Sequence, residues 1–185
     1  MNKIFSTLTL VFFMLVSFTA FSQQKFWVGL DLNFNSVKVG DGDGVSSFGL
    51  SPTLGYMFSD NMGIGLEINF SQPHEDHTIF GATPFLRYGK SVGDKATLFG
   101  DLGVGFATGK ETIGTVETKS TAFGIGISPG VMYKFADRWS AIGHFGFLGF
   151  NSNSEEVGNA DAVKTTEFGI NLGMSSLNVG IQYHF

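Results

Sequence analysis

Apolar and polar residues alternate with a period of two along most of the chain beyond residue 25. The last stretch shows this most plainly. Leu177, Val179, Ile181, Tyr183 and Phe185 share one face, and Asn178, Gly180, Gln182 and His184 share the other. Successive side chains of a strand point to opposite faces, so this spacing marks strands with one apolar and one polar side. Near the other end, Phe26, Val28, Leu30, Leu32 and Phe34 oppose Gly29, Asp31, Asn33 and Asn35. Comparable segments begin near Phe48, Met62, Phe80, Leu98, Phe123, Trp139 and Thr165, which makes eight strands and no helix. The seventh carries Trp139, Ala141, Phe145 and Phe147 on its apolar side. In the eighth, the apolar parity switches between Met174 and Leu177, which predicts a bulge at Ser175-Ser176. Pro52, Pro84 and Pro129 lie inside strands, where a missing N–H interrupts a ladder, and bulges are expected there too.

The connections alternate in length. Ser59-Asp60-Asn61, Gly89–Lys95 and Ala136-Asp137-Arg138 are compact. Val37–Ser47, Ser71–Thr78, Thr108–Lys119 and Asn151–Lys164 are longer and polar, and are expected to be loops. An even-numbered meander with short turns at one end and long loops at the other has the pattern of a transmembrane barrel. The fold class expected is therefore all-β: an eight-stranded antiparallel up-and-down transmembrane β-barrel.

Volume decides which face points outward. The apolar face carries most of the large side chains, many of them among the 21 Phe. The interior of an eight-stranded barrel is just wide enough for small side chains or one small ligand. It cannot hold that set, whereas the Gly, Ser, Thr and Asn of the other face suit a narrow lumen. Every Trp and Tyr beyond residue 25 (Trp27, Tyr56, Tyr88, Tyr133, Trp139 and Tyr183) falls near a strand end on the short-turn side. They are expected to form an aromatic girdle at the periplasmic membrane surface. Phe34, Phe48, Phe70, Phe80, Phe106, Phe123, Phe147 and Phe168 are expected to form a second girdle at the opposite rim.

Composition narrows the function further. Net charge is −5 with no basic run, so nucleic acid is not an expected partner. The absence of Cys excludes disulfides, thiol chemistry and thiolate metal sites. Lys3, the mostly apolar Ile4–Phe18 and the small residues around Ala20-Phe21-Ser22 read as a secretory signal peptide. Residues 1–22 are assigned to that leader and residues 23–185 to the barrel domain.

Signal peptide, eight amphipathic strands, Gly-rich inner face and the terminal Tyr183-His184-Phe185 together resemble the small outer-membrane β-barrel family. That family comprises OmpA-type transmembrane domains and porin-family barrels of Gram-negative bacteria. The resemblance spans the mature chain. It implies a location in the cell outer membrane, contact with its lipid and lipopolysaccharide, and both termini in the periplasm. It also implies that Tyr183 and Phe185 form the C-terminal signal read by the barrel assembly machinery. No residues follow Phe185 to form the peptidoglycan-binding domain of some members, so a cell-wall tether is not expected.

The inner face carries four charges: Asp31, Glu67, Arg87 and Asp101. Charges in a narrow interior require partners. Arg87 is expected to pair with Glu67 or Asp101 and to help occlude the lumen, as a structural core or as a gate. Other patterns carry less. Gly103–Lys110 imitates a phosphate loop but lacks its glycine spacing and Ser/Thr, and no helix is expected after it. Asp41-Gly42-Asp43-Gly44 lacks the closing Glu of a calcium loop. His74-Glu75-Asp76-His77 has neither the spacing nor the helix of a zinc site. His144 and His184 have no convergent nucleophile and acid, as a lipid A enzyme would need, so neither enzymatic activity nor a cofactor is expected. The expected role is structural or surface-interacting, with a largely occluded lumen. The alternative is a narrow porin-like channel or a passage for a small apolar molecule. Nothing in the loops names an extracellular partner.

Overall fold

A computed structural model of the chain describes residues 25–37, 45–74, 77–113, 116–158, 161–171 and 177–185. The expected leader and the Asp41–Gly44 motif lie outside these residues. Ten hydrogen-bonded segments succeed one another: β1 (Phe26–Val37), β2 (Val45–Met57), β3 (Met62–His74), β4 (His77–Ser91), β5 (Ala96–Ile113), β6 (Val116–Ala136), β7 (Trp139–Phe145), β8 (Phe147–Val157), β9 (Val163–Asn171) and β10 (Leu177–His184). They make eight traverses. β7 and β8 are two halves of the seventh, both running beside β6; β9 and β10 are two halves of the eighth. β10 pairs antiparallel with β1 from Trp27↔His184 to Leu32↔Val179, and this closes the sheet into an antiparallel barrel.

The two broken traverses have different causes. Gly146 takes φ +91° between β7 and β8, a conformation open to glycine, and it reverses the inside–outside parity from β7 to β8. Phe145 faces outward, but Phe147 turns into the lumen rather than onto the outer face expected of it. In the last traverse Leu177 lies opposite Phe145 while Asn171 lies opposite Phe147. The expected bulge at Ser175-Ser176 falls in this interval, outside the described residues.

Bulges do not form at all three prolines. At Pro52 and Pro84, pairing with one neighbour lapses and resumes in the same register, because the missing N–H removes a bond without adding a residue. Opposite Pro129 the register does shift, but the extra residue is on the partner traverse: β6 takes three steps from Ile127↔Leu148 to Gly130↔His144 while its neighbour takes four across Gly146, and β6 passes Pro129 in unbroken register with β5.

The long polar connections are also more regular than expected. β5 and β6 stay paired to Ile113↔Val116, β8 and β9 to Glu155↔Val163, and β3 and β4 to His74↔His77. Most of Thr108–Lys119, Ser71–Thr78 and Asn151–Lys164 is therefore ribbon rather than loop. A ribbon with water on both faces has no apolar side, so its sequence lacks the alternation that marks the membrane part. The first long connection stays paired as far as Val37↔Val45.

The outer face is apolar. Leu30, Leu54, Ile64, Leu98, Leu102, Ile125, Ile127 and Ile181 are all exposed. Among the described residues, only Trp27, Phe85, Phe99 and Ile142 are buried apolar side chains. So continuous an apolar exterior on a closed sheet suits acyl chains rather than water.

Candidate functional site

The short-turn half of the lumen is filled by three rings and one guanidinium. Trp27, Phe85 and Phe99 stand on the inner faces of β1, β4 and β5. Each lies against a glycine of a neighbouring strand: Trp27 over Gly55, Phe85 over Gly65 and Phe99 over Gly130. A methyl group at any of these glycines would collide with the ring. Part of the glycine content of the inner face thus seats large rings in a barrel too narrow to hold them otherwise.

Arg87 is enclosed by these rings. Its guanidinium carbon lies 4.7 Å from the Trp27 centroid, 5.3 Å from Phe85 and 4.2 Å from Phe99. Asp101 stands directly across the β4–β5 ladder from it. Arg87 Nε donates to Asp101 Oδ1 at 2.8 Å and Nη2 donates to Oδ2 at 2.7 Å, a two-pronged geometry that lysine cannot reproduce. Nη1 donates to Gln182 Oε1 at 3.3 Å across the barrel. Asp101 also receives His144, whose Nε2 lies 3.2 Å from Oδ2. Arg87 is 4% exposed and Asp101 is 7% exposed, so both charges are lost to water and depend on each other.

The structure therefore brings together two of the four inner-face charges and leaves two aside. Arg87 takes Asp101. Among the described residues, neither Glu67 nor Asp31 forms an ion pair with it. Asp31 is buried beside Gly180 and Ser51, and its Oδ1 has no hydrogen-bond partner. Glu67 is half-buried and borders a cavity of about 430 Å³ on the long-loop side of the Arg87–Asp101 pair. Asn69, Thr83, His144 and Asn178 share that border, and Phe85 and Phe147 supply apolar wall. Asn69 links two strands there, accepting from Ser51 Oγ at 3.0 Å and donating to Thr83 Oγ1 at 3.4 Å.

Trp27 needs correction. Its position near a strand end suggested the outer girdle, yet it is 2% exposed and lies inside, against Arg87. The alternation carried the signal, since Trp27 has the parity of Asp31 and not of Val28. Tyr56, Tyr88, Tyr133, Trp139 and Tyr183 do stand on the outer face at the short-turn end. There Trp139 packs on Tyr183, Tyr183 on Phe185, and Arg138 donates to the Tyr183 hydroxyl at 3.1 Å. At the other rim Phe70, Phe80, Phe106, Phe123 and Phe168 are exposed; the side chains of Phe34 and Phe48 lie outside the described set. Sequence reasoning missed Gln182 and His144 as partners of the ion pair. His184 reaches Ser140 Oγ, 3.2 Å away, at the short-turn rim and takes no part in it.

Comparison with known proteins agrees with this geometry. The crystal structure of Neisserial surface protein A superposes with a TM-score of 0.56 at 15% identity, covering 86% of this chain and 97% of that one. The N-terminal β-barrel domain of Pseudomonas aeruginosa OprF gives a TM-score of 0.56 at 11% identity, covering 88% and 98%. At such identities the likeness speaks to fold alone. Comparison with curated proteins finds no match. The model of the outer membrane protein beta-barrel domain family matches residues 6–175, and with a closed barrel that is apolar outside, the chain belongs to that family and to the cell outer membrane.

Proposed function

We propose that this barrel is a non-conducting outer-membrane protein whose role is structural and surface-presenting. The observation that carries this reading is the layer formed by Arg87, Asp101, Gln182 and the three rings, which sets a matched ion pair among aromatic side chains inside the short-turn half of the barrel. Opening it would separate a buried ion pair, which costs about 3–5 kcal/mol when one partner is lost. What the barrel offers to the outside is its long-loop end, where β5–β6 and β8–β9 continue as ribbons. Outer-membrane lipid and lipopolysaccharide would contact the apolar exterior. The stacked Trp139, Tyr183 and Phe185 fit an assembly signal on the last strand. No catalytic role is assigned to it.

A narrow channel is the second reading, and the cavity above the ion pair favours it, since that part of the lumen is hollow. Conductance in a planar bilayer separates the two. The wild-type protein should be silent, and Arg87→Ala should give openings. Steady channels in the wild type would reverse the order.

A further inference from the structure

We propose that the cavity above the Arg87–Asp101 pair is a binding site for a small organic cation of the alkylammonium class, entering from the long-loop side. Three observations converge on that chemistry.

The first is room. About 430 Å³ lies within the size range of small-molecule sites, roughly 300–1,000 Å³. Phe85 and Phe147 border it and can cover a short methylene chain. The second is charge. Asp101 is matched by Arg87, whereas Glu67 has no ion-pair partner among the described residues and faces the same space. An anion placed here would meet Glu67 and, among the described residues that border the cavity, no Lys or Arg. The third is unmet hydrogen-bond acceptors. The buried side-chain atoms without a hydrogen-bond partner among the described residues are Asp31 Oδ1, Asn178 Oδ1 and His144 Nδ1. Both oxygens are acceptors. Asp101 accepts from His144 Nε2, so in the neutral ring the proton sits there and Nδ1 is an acceptor as well. His144 and Asn178 both border the cavity. Unmet acceptors on both thus lie just behind the wall that carries Glu67. An ammonium group brings three N–H donors and the missing positive charge, and an aromatic border adds to its attraction.

The site lies above the layer that closes the lumen, so it does not require conduction, and silent bilayers leave it untouched. The test uses the full mature protein in zwitterionic micelles, with backbone amide shifts followed by NMR during titration with n-butylammonium. n-Butanol and butyrate serve as probes matched in size. Saturable shifts are expected at Gly103, Gly105 and Gly124, which border the cavity. Butanol should bind about tenfold or more weakly, as loss of a charged hydrogen bond implies, and butyrate should not bind. Glu67→Gln should weaken butylammonium by a similar factor, while Glu117→Gln, outside the barrel, should leave it unchanged. Equal binding of butanol and butylammonium to the wild type would overturn the proposal even if Glu67→Gln failed to fold. So would undiminished binding to Glu67→Gln, or shifts confined to the outer apolar face.

Discussion

The two halves of the lumen are built from the same kinds of residue and arrive at opposite states. On the short-turn side, glycines carry rings, the rings enclose a guanidinium, and the guanidinium is forked onto a carboxylate. On the long-loop side, Gly126 still seats the Phe147 ring, but Gly105 borders open space, Ser51, Asn69 and Thr83 bond to one another, and the Glu67 carboxylate faces the cavity with no ion-pair partner among the described residues. The difference shows what a glycine-rich inner face is for. Removing a side chain makes room, and whether that room holds a ring or a void depends on what the neighbouring strand places opposite. A narrow interior makes an isolated charge costly, and in the filled half Arg87 and Asp101 neutralise each other.

The sharpest way to break this comparison is to remove one partner of the buried pair. Arg87→Ala or Asp101→Ala should each destabilise the barrel by about 3–5 kcal/mol, because each leaves an uncompensated charge. Denaturant unfolding in micelles, monitored through the fluorescence of the buried Trp27, reads this directly. The paired change Arg87→Met with Asp101→Leu should recover much of the loss. A single-variant loss below about 1 kcal/mol, the range of exposed pairs, would mean that the layer is not held by its charges.

A gentler test places the same substitution in each half. Gly65→Ala drives a methyl into the Phe85 ring and should cost about 1–3 kcal/mol by overpacking. Gly105→Ala borders the cavity, where the nearest atom is the Thr83 hydroxyl oxygen at 3.2 Å, and it should stay within about 0.5 kcal/mol. Equal costs would erase the distinction between a seated and a hollow region.

The smallest effect is expected outside the membrane, where the contrast is with water. On the β5–β6 ribbon Lys110 Nζ lies 2.6 Å from Glu117 Oε2, and Lys119 lies 3.6 Å from the other oxygen. The hydrogen bond from Lys110, and then the nearby lysine charges, hold the Glu117 carboxyl below its usual range. A lowered carboxyl pKa contributes stability above the unfolded-state value and loses it as pH falls through the folded-state value. Amide exchange along the ribbon should therefore quicken slightly in acid, and less so in high salt, with no change in the barrel core. An equal response in the core would tie the ribbon to the barrel more tightly than its solvation suggests.

The reach of sequence reasoning is set by what is local. Period-two alternation is a property of a single strand, so strand positions, the outer apolar face and the inner placement of Arg87 and Asp101 are legible in the chain itself. Trp27 is legible in the same way. Its parity places it inside, and nearness to a strand end is a weaker cue. The ribbon character of the polar connections is hidden for a local reason as well: strands solvated on both faces need no alternation.

The remainder depends on closure. Gln182 meets Arg87 from 95 residues away only because β10 returns beside β1 and brings its inner face across the lumen from β4. The choice of Asp101 over Glu67 is set by register, which places Asp101 directly opposite Arg87 and Glu67 opposite Thr53 and Thr83. The turn of Phe147 into the lumen hangs on the single backbone angle at Gly146. By itself the chain determined which residues face outward and which face inward, since strand geometry imposes that one residue at a time. Only the closed barrel decided which inward residues touch, because ring closure and register are collective and no short stretch of chain contains them.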